Sequence, residues 1–245
     1  MQSRISRRWG GDIFETPVLD SHLITPTIRK IILKKPSTFN FLPVQFTFLS
    51  LITEAGMDTR PMSIATSPTR PNLEYAVRLS DSPYKRAFAS LVPNDSVTIQ
   101  GAFGDFILNE NRPAMLIAGG IGITPLKGIA EYAADKRLEI PVHLLYSNRT
   151  VDEIAYAAEL KELEDQNPKF KVFNTLTGDA TSKDWAGFKG RISKDLIIKV
   201  SEGLSRPIYY VCGTPSMVST VFKLLRQMNV PETDLEFEVF RGYWN

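Results

Sequence analysis

The chain has 245 residues, a formal net charge of +2 and 43% hydrophobic residues. This length allows one large or two moderate globular domains, and so small a charge gives no indication of nucleic acid or a membrane surface as a partner. One cysteine and two histidines argue against disulfides, iron–sulfur clusters and histidine-rich metal sites, so we expect no metal site. Any redox chemistry would therefore need an organic cofactor.

The first half of the chain has the pattern of an antiparallel barrel or sandwich. Short runs of alternating apolar residues are separated by Pro, Gly, Asn and Asp. These runs are residues 27–34, 44–52, 73–80 and 95–103, and the segment 60–68 (RPMSIATSP) contributes a further strand. One helix interrupts them at residues 83–92, with Ser82 predicted as its N-cap and Pro83 at its first position.

The second half alternates between strands and helices, which indicates a parallel sheet covered on both faces. The predicted strands are residues 114–120, 142–147, 170–176, 208–213 and 235–240. The predicted helices are residues 124–135, 151–166, 193–202 and 215–228. We therefore predict a two-domain fold, an antiparallel β-barrel at 1–110 followed by an α/β domain with a parallel sheet at 111–245.

A glycine-rich corner follows the first predicted parallel strand. Gly119, Gly120 and Gly122 precede Thr124 and Pro125, which we predict as the N-cap and first position of the next helix. Such a corner can bind a pyrophosphate, because glycines permit close approach and the helix N-terminus offers unpaired N–H groups. The spacing is not the full dinucleotide fingerprint, and a tight turn that is merely glycine-rich is the alternative.

A second corner follows the predicted strand 208–213. Cys212 and Gly213 precede a Thr-Pro helix start, with Met217 in the first turn. Two such corners at one sheet edge predict a two-sided crevice for a nucleotide. Arg149, at the end of an intermediate strand, could reach a ribose or a 2′-phosphate, although a solvated arginine explains it nearly as well.

A second candidate phosphate site lies in the first half, at the start of the predicted helix 83–92. Hydroxyl groups, helix N–H groups and positive charge come together there. Its candidate residues are Arg78, Ser80, Ser82, Tyr84 and Lys85. An ordinary helix that crosses a barrel is the alternative interpretation.

Taken together, these motifs resemble the ferredoxin–NADP reductase superfamily over nearly the whole chain. The family's Arg-x-Tyr-Ser motif is matched by Arg60-Pro61-Met62-Ser63. Its Pro-Gly-Gln-Phe and Gly-Pro-x-Gly-x-Phe motifs are matched by residues 43–46 and 101–106, with Val44 in place of Gly and Ala102 in place of Pro. Its nucleotide motifs are matched by the two glycine corners. The resemblance implies that Arg60 holds the flavin phosphates and that Ser63 hydrogen-bonds near flavin N5. Met62 replaces the stacking tyrosine, so a thioether contact would replace aromatic packing.

The last ten residues, EFEVFRGYWN, resemble the terminal segment of the same family. In that family a glutamate and an aromatic residue two positions later lie against the flavin. The resemblance assigns these roles to Glu238 and Phe240, with Tyr243 and Trp244 as an aromatic extension. An ordinary core position is the alternative for Phe240.

The resemblance implies a flavin-dependent NAD(P)H oxidoreductase. Hydride would pass from NADH or NADPH to bound FAD, with FMN as the second choice, and electrons would then reach a separate acceptor such as ferredoxin, flavodoxin or an oxygenase. Ser63, Cys212 and Glu238 are the expected catalytic residues. The alternatives are an electron-transfer subunit of a larger complex and a nucleotide-binding module that has lost its flavin.

The sequence also predicts where the protein acts. No apolar run reaches the roughly 18 residues of a membrane helix, and the N-terminus lacks the apolar region of a signal peptide. We therefore expect a cytoplasmic protein with no membrane span and no nucleic-acid partner.

Overall fold

The computed structural model describes residues 10–178 and 185–240, so the predictions for Tyr243 and Trp244 lie outside the described residues. Two six-stranded sheets follow one another along the chain. The first is antiparallel and the second parallel, which confirms the predicted fold class.

The first sheet is a half-barrel. Its strands are β1 (Ile13–Thr25), β2 (Ile28–Lys34), β3 (Phe46–Thr53), β4 (Gly56–Ser63), β5 (Asn72–Arg78) and β6 (Ser96–Phe103). They are arranged in the order β4-β3-β6-β1-β2-β5. The two edge strands meet just beyond β4, where the amide of Ala65 donates to the carbonyl of Glu74 at 2.8 Å.

Alternate side chains of these strands fill the interior of the half-barrel, because successive residues of a strand point to opposite faces. Ile31 and Leu33 of β2 are fully buried in this core. Helix α1 (Pro83–Ser90) closes the barrel by burying Tyr84 and Phe88. The helix begins at Pro83 as predicted, but the hydroxyl of Ser82 makes no capping hydrogen bond.

The second sheet carries helices on both faces. Its strands are β7 (Ala114–Gly119), β8 (Val142–Asn148), β9 (Phe170–Leu176), β10 (Phe188–Lys189), β11 (Ile208–Gly213) and β12 (Leu235–Val239). Its helices are α2 (Ile123–Asp135), α3 (Ala157–Gln166), α4 (Lys194–Val200) and α5 (Pro215–Gln227). Short 3-10 helices span Gly120–Gly122, Val151–Glu153 and Glu232–Asp234.

The parallel strands lie in the order β10-β9-β8-β7-β11-β12, so the direction of strand addition reverses between β7 and β11. Ligands of open parallel sheets bind outside the carboxyl ends of the strands at such a switch point. The fold therefore places the two predicted glycine corners on either side of one crevice.

The two faces of the parallel sheet bury different cores. Met115 and Ile117 of β7 face the core that contains α4 and α5, whereas Leu116 and Ala118 face the core that contains α2 and α3. The core that contains α2 and α3 continues into the half-barrel. Its buried barrel members are Ile28, Val44, Ala65 and Ala76. The half-barrel and the α2 face of the parallel sheet thus share one apolar interior.

Two predicted helix boundaries were wrong. The predicted helix 151–166 is interrupted, because Tyr156 adopts the left-handed conformation at φ 60° and α3 begins only after it. Helix α2 begins at Ile123, so Thr124 is not its N-cap. The hydroxyl of Thr124 instead donates to the carbonyl of Ile121 at 3.1 Å, and Pro125 lies buried in the first turn.

Two kinds of feature are absent from the described residues. Among them, no helix has both the length and the apolar character needed to span a membrane. Across the same parts of the chain, no three His, Cys, Asp or Glu side chains come together in a way that could hold a metal ion.

Candidate functional site

An open cleft of about 330 Å³ lies at the switch point of the parallel sheet. Its floor comes from the ends of β7 and β11, and its rim comes from β5, the end of β8 and the residue after β12. The lining residues are Arg78, Gly119, Gly120, Ile121, Arg149, Glu153, Gly213, Thr214 and Phe240. Six of them were predicted as cofactor-binding residues: Arg78, Gly119, Gly120, Arg149, Gly213 and Phe240.

The three glycines of the first corner have different roles. Gly120 lines the cleft and has a left-handed backbone at φ +52°, a conformation that favours glycine. Gly122 is buried, and a Cβ atom there would lie 2.4 Å from the carbonyl oxygen of Cys212. Gly122 therefore allows the two corners to pack against each other. Gly122 does not line the cleft, and its predicted place among the cofactor-binding residues stays a prediction.

Met217, in the first turn of α5, does not line the cleft but lies against two glycines that do. Thr214 caps this helix as predicted, because its hydroxyl accepts from the amide of Met217 at 3.4 Å. A Cβ atom added to Gly213 would lie 2.6 Å from the sulfur of Met217, and one added to Gly119 would lie 3.0 Å from it. The thioether thus rests against both glycines.

The charged groups of the cleft come from both sheets. Arg78 donates to the hydroxyl of Thr27 at 2.8 Å and lies 3.6 Å from the carboxylate of Glu153. Arg149 also lines the cleft, and its side chain is exposed. Two guanidinium groups at one glycine corner suit an anionic ligand. Glu153 was not among the predicted site residues, and its only sequence signal was its position shortly after Arg149.

A second group of residues joins the end of β4 to the last strand. The hydroxyl of Ser63 donates to Oε1 of Glu238 at 2.7 Å, although the two residues are 175 positions apart. Glu238 is in register with Cys212 of the neighbouring strand β11, and paired residues share one face of the sheet. Phe240 lies two residues further along and packs against the core on that face. The structure thus brings together all three predicted catalytic residues.

Burial sets the protonation states of this group. It raises the pKa of Glu238 to about 7, against the opposing effect of the hydrogen bond from Ser63. Burial, followed by the nearby Glu238, raises the pKa of the Cys212 thiol well above its usual value. The thiol is therefore neutral at physiological pH. The second carboxyl oxygen of Glu238, Oε2, is buried and has no hydrogen-bond partner among the described residues. An unpaired buried acceptor fits a ligand with a polar edge.

The predicted phosphate-binding arginine of β4 is already paired. Arg60 lies 2.9 Å from the carboxylate of Asp58, and its guanidinium lies 6.0 Å from the centre of the Tyr84 ring. The Tyr84 hydroxyl donates to the carbonyl of Leu49 at 3.1 Å inside the barrel. Arg60 is the most exposed member of this group, with 59% of its side chain accessible.

The remaining predicted residues do not line the cleft. Pro61, Ser80 and Ser82 are exposed on the half-barrel, and Met62 packs against the barrel core. Partial burial, together with the neighbouring charge of Arg78, lowers the pKa of Lys85. Of the second candidate phosphate site, only Arg78 lines the cleft, and its other predicted residues lie on the barrel side of the molecule.

The comparisons with known proteins agree with this arrangement. Residues 116–223 match the model of the oxidoreductase NAD-binding domain. The ferredoxin NADP+ reductase from Neisseria gonorrhoeae, solved with bound FAD and NADP, aligns with a TM-score of 0.79 over 93% of this chain and 98% of that chain, at 21% identity. The chain has the fold of the ferredoxin–NADP reductase superfamily. The resemblance seen in the sequence is thus confirmed at the level of the fold.

Curated relatives match part of their own length. One component of the Na(+)-translocating NADH-quinone reductase of Methylococcus capsulatus is 30% identical over 158 residues, which are 62% of this chain and 39% of the relative. The glycine betaine monooxygenase reductase subunit of Chromohalobacter salexigens is 26% identical over 201 residues, which are 78% of this chain and 54% of the relative. The chain therefore spans only part of the length of each of these relatives.

Proposed function

We propose that the chain is a flavin-dependent NAD(P)H oxidoreductase module that passes electrons to a separate acceptor. The observation that carries this proposal is the Ser63–Glu238 hydrogen bond beside buried Cys212, next to a glycine-lined cleft at the switch point. The match to an oxidoreductase NAD-binding domain supports the nucleotide part. The proposal divides the chain into a flavin-binding half at 1–110 and a nucleotide-binding half at 111–245.

In this proposal the cleft binds the nicotinamide nucleotide. Gly119, Gly120 and the first turn of α2 approach its pyrophosphate, because backbone N–H groups at a helix N-terminus attract anions. Arg78 and Arg149 add positive charge at the rim. The nicotinamide ring lies near Cys212 and Gly213. The same residues suit NADH and NADPH, with Arg149 as the group that would contact a 2′-phosphate.

The flavin binds along β4 and against the last strand. Arg60 holds its phosphate groups, Ser63 and Glu238 face its reactive edge, and Phe240 packs near its ring. FAD is preferred to FMN because the related structure from Neisseria gonorrhoeae holds FAD. When bound, the flavin supplies the redox chemistry, accepting hydride at N5 from the nicotinamide and releasing electrons one at a time.

The protein contributes positioning and proton placement. With a pKa of about 7, Glu238 is available in both protonation states near neutral pH. When Glu238 is ionised, Ser63 donates its hydroxyl proton to Oε1; when it is protonated, the carboxyl can donate instead and Ser63 can accept. The pair can therefore hold or shift a proton at the Ser63 oxygen. The neutral thiol of Cys212 shapes the floor without acting as a nucleophile.

The acceptor is proposed to be a separate redox protein such as ferredoxin, flavodoxin or an oxygenase. Relatives named as a monooxygenase reductase subunit and a ferredoxin NADP+ reductase support this class of acceptor. The cytoplasmic location stays a prediction from the sequence.

The first test is reduction of the flavin. Purified protein should carry FAD or take it up, and its absorbance should bleach anaerobically with NADH or NADPH. Protein that binds no flavin after attempted reconstitution would refute the proposal, and nicotinamide binding alone would indicate a nucleotide-binding module that has lost flavin.

A Ser63→Ala variant should bind flavin normally, but its flavin should be reduced more slowly. An unchanged rate would remove the role given to Ser63.

A second candidate function is an electron-transfer subunit of a larger complex. The relative from Methylococcus capsulatus favours it, because that protein is named as one subunit of its reductase and extends well beyond the matched region. Rapid flavin reduction combined with negligible turnover of small artificial acceptors would indicate such a subunit. Fast turnover of these acceptors by the isolated chain would indicate the independent reductase.

A further inference from the structure

Helix α2 packs against the four residues that follow Ser63, which we call the clamp segment (residues 64–67). The ammonium group of Lys127 lies 3.4 Å from the carbonyl oxygen of Ala65 and donates to it. The carboxylate of Glu131 accepts from the backbone amide of Ser67 at 2.8 Å. One face of the helix thus hydrogen-bonds to the backbone of Ala65 and of Ser67, in the segment that follows β4.

Gly128 lies between these two contacts. A Cβ atom at this position would be 3.2 Å from the carbonyl oxygen of Thr66 and 3.6 Å from that of Ile64. Only glycine lets the helix approach the clamp segment this closely without displacing it by a few tenths of an ångström. Since glycine is poor in helix interiors, the close approach is the structural reason for its presence.

A buried cluster of charged side chains stabilises the contact between α2 and the clamp segment. Lys127 has 1% of its side chain exposed and lies 2.6 Å from Glu131 and 3.1 Å from Glu74 of β5. Burial alone lowers the pKa of Lys127, but the carboxylates of Glu74 and Glu131 outweigh it and raise that pKa, so the ammonium group stays charged. Lys30 extends the cluster, 3.8 Å from Glu74 and 2.9 Å from Glu159. Losing one partner from such a cluster leaves a buried charge uncompensated.

These contacts link the two halves of the site. The first turn of α2 belongs to the glycine corner of the cleft, and Lys127 lies about 6 Å along the helix from its start. The clamp segment continues directly from Ser63. One short rigid path therefore joins the corner proposed for the pyrophosphate to the hydroxyl group proposed to face the flavin.

We propose that Lys127, Gly128 and Glu131 are positioning residues, which set the location of Ser63 relative to the glycine corner and thereby the distance over which hydride is transferred. The inference rests on the proposed function. None of the three residues lines the cleft, so their effect is exerted through the clamp segment. A displacement of a few tenths of an ångström at the reacting groups is enough to slow transfer several-fold, since misplacement by 1 Å can cost on the order of 100-fold.

The sharpest test is Gly128→Ala, which adds one methyl group and changes no charge. In rapid mixing of the FAD-loaded protein with NADH, we expect the limiting rate of flavin reduction to fall about three- to tenfold. The dissociation constants for NADH and FAD should stay within about twofold, because the variant leaves both binding surfaces intact. The thermal midpoint of unfolding should not fall along with the reduction rate, since alanine stabilises a helix interior relative to glycine.

Glu131→Ala tests the polar contact, with Asp165→Ala as its matched control. Lys161 and Asp165 form the same i,i+4 ion pair on the exposed surface of α3, away from the clamp segment. In flavin-free protein, hydrogen exchange at the Ser67 amide should rise about tenfold or more in Glu131→Ala and stay unchanged in the control.

The outcomes separate this inference from the proposed function. Normal limiting rates in both Gly128→Ala and Glu131→Ala, or equal slowing in the Asp165→Ala control, would overturn the inference. Unchanged exchange at Ser67 in Glu131→Ala would overturn the clamp itself, whatever the protein binds. If the parent protein binds no flavin, the proposed function fails, and the exchange measurement still decides whether α2 holds the segment.

Discussion

Replacing Glu238 by glutamine should remove a large pH dependence of stability. The pKa of Glu238 is about 7 in the folded protein, compared with 4.5 for an ordinary glutamate. The folded state therefore binds more protons than the unfolded state between these values, and stability falls as the pH rises through that window. A difference of this size corresponds to about 3 kcal/mol over the whole window. Most of that loss, roughly 2 to 3 kcal/mol, falls between about pH 5 and pH 8.

The glutamine variant has nearly the same shape and cannot ionise, so this loss should be absent. Urea unfolding of flavin-free protein at several pH values would give the free energy of unfolding of both proteins. The difference between them should change by roughly 2 to 3 kcal/mol from about pH 5 to pH 8, with the wild type losing stability relative to the variant. Contributions of other titrating groups cancel in this difference. Parallel curves for the two proteins would show that Glu238 titrates normally and would refute the reasoning.

Four further substitutions test other parts of the site. Gly122→Ala should lower the free energy of unfolding by about 2 kcal/mol or more, because the added methyl group meets backbone at the end of β11. In Gly119→Ala the methyl group meets only the flexible side chain of Met217, so the loss in the same urea titration should be less than half as large. Asp58→Asn should tighten FMN about two- to fivefold by releasing Arg60, with no change for riboflavin, which lacks a phosphate; equal effects on both flavins in a fluorescence titration would contradict this. Met62→Tyr should shift flavin affinity or reduction potential, and no measurable shift would mean that the position serves only packing.

The sequence predicted five of the six strands of the parallel sheet, and the signal was strongest for β7 and β11, which are apolar nearly throughout. The two-residue strand β10 was missed. Strands β9 and β11 have the predicted bounds, and the Thr-Pro start of α5 was also correct. The predicted helix 151–166 failed because a helical pattern of side chains does not reveal a single left-handed residue such as Tyr156. Strand β1 was missed because it contains Pro17 and several polar residues and shows no clear alternation.

The site followed from the sequence only where a motif marked it. The resemblance selected Ser63 and Glu238, and the structure joins them by a hydrogen bond. Nothing in the sequence marked the buried ion pairs of Lys127, because Glu74 comes from the distant strand β5 and Glu131, one turn along the same helix, resembles an ordinary solvated partner. The role of Gly122 was likewise hidden, since contact with the neighbouring strand depends on the tertiary fold.

The shared interior between the half-barrel and α2 limits how this protein can be recombined with its relatives. A chimera that takes the parallel sheet from one protein and the half-barrel from another would pair foreign surfaces around Ile28, Val44, Ala65 and Ala76. It would also separate Lys127 from its carboxylate partner on β5. Exchange of the nucleotide-binding half should therefore succeed only when the matching barrel positions are transplanted with it. The two halves have to be exchanged as a matched pair.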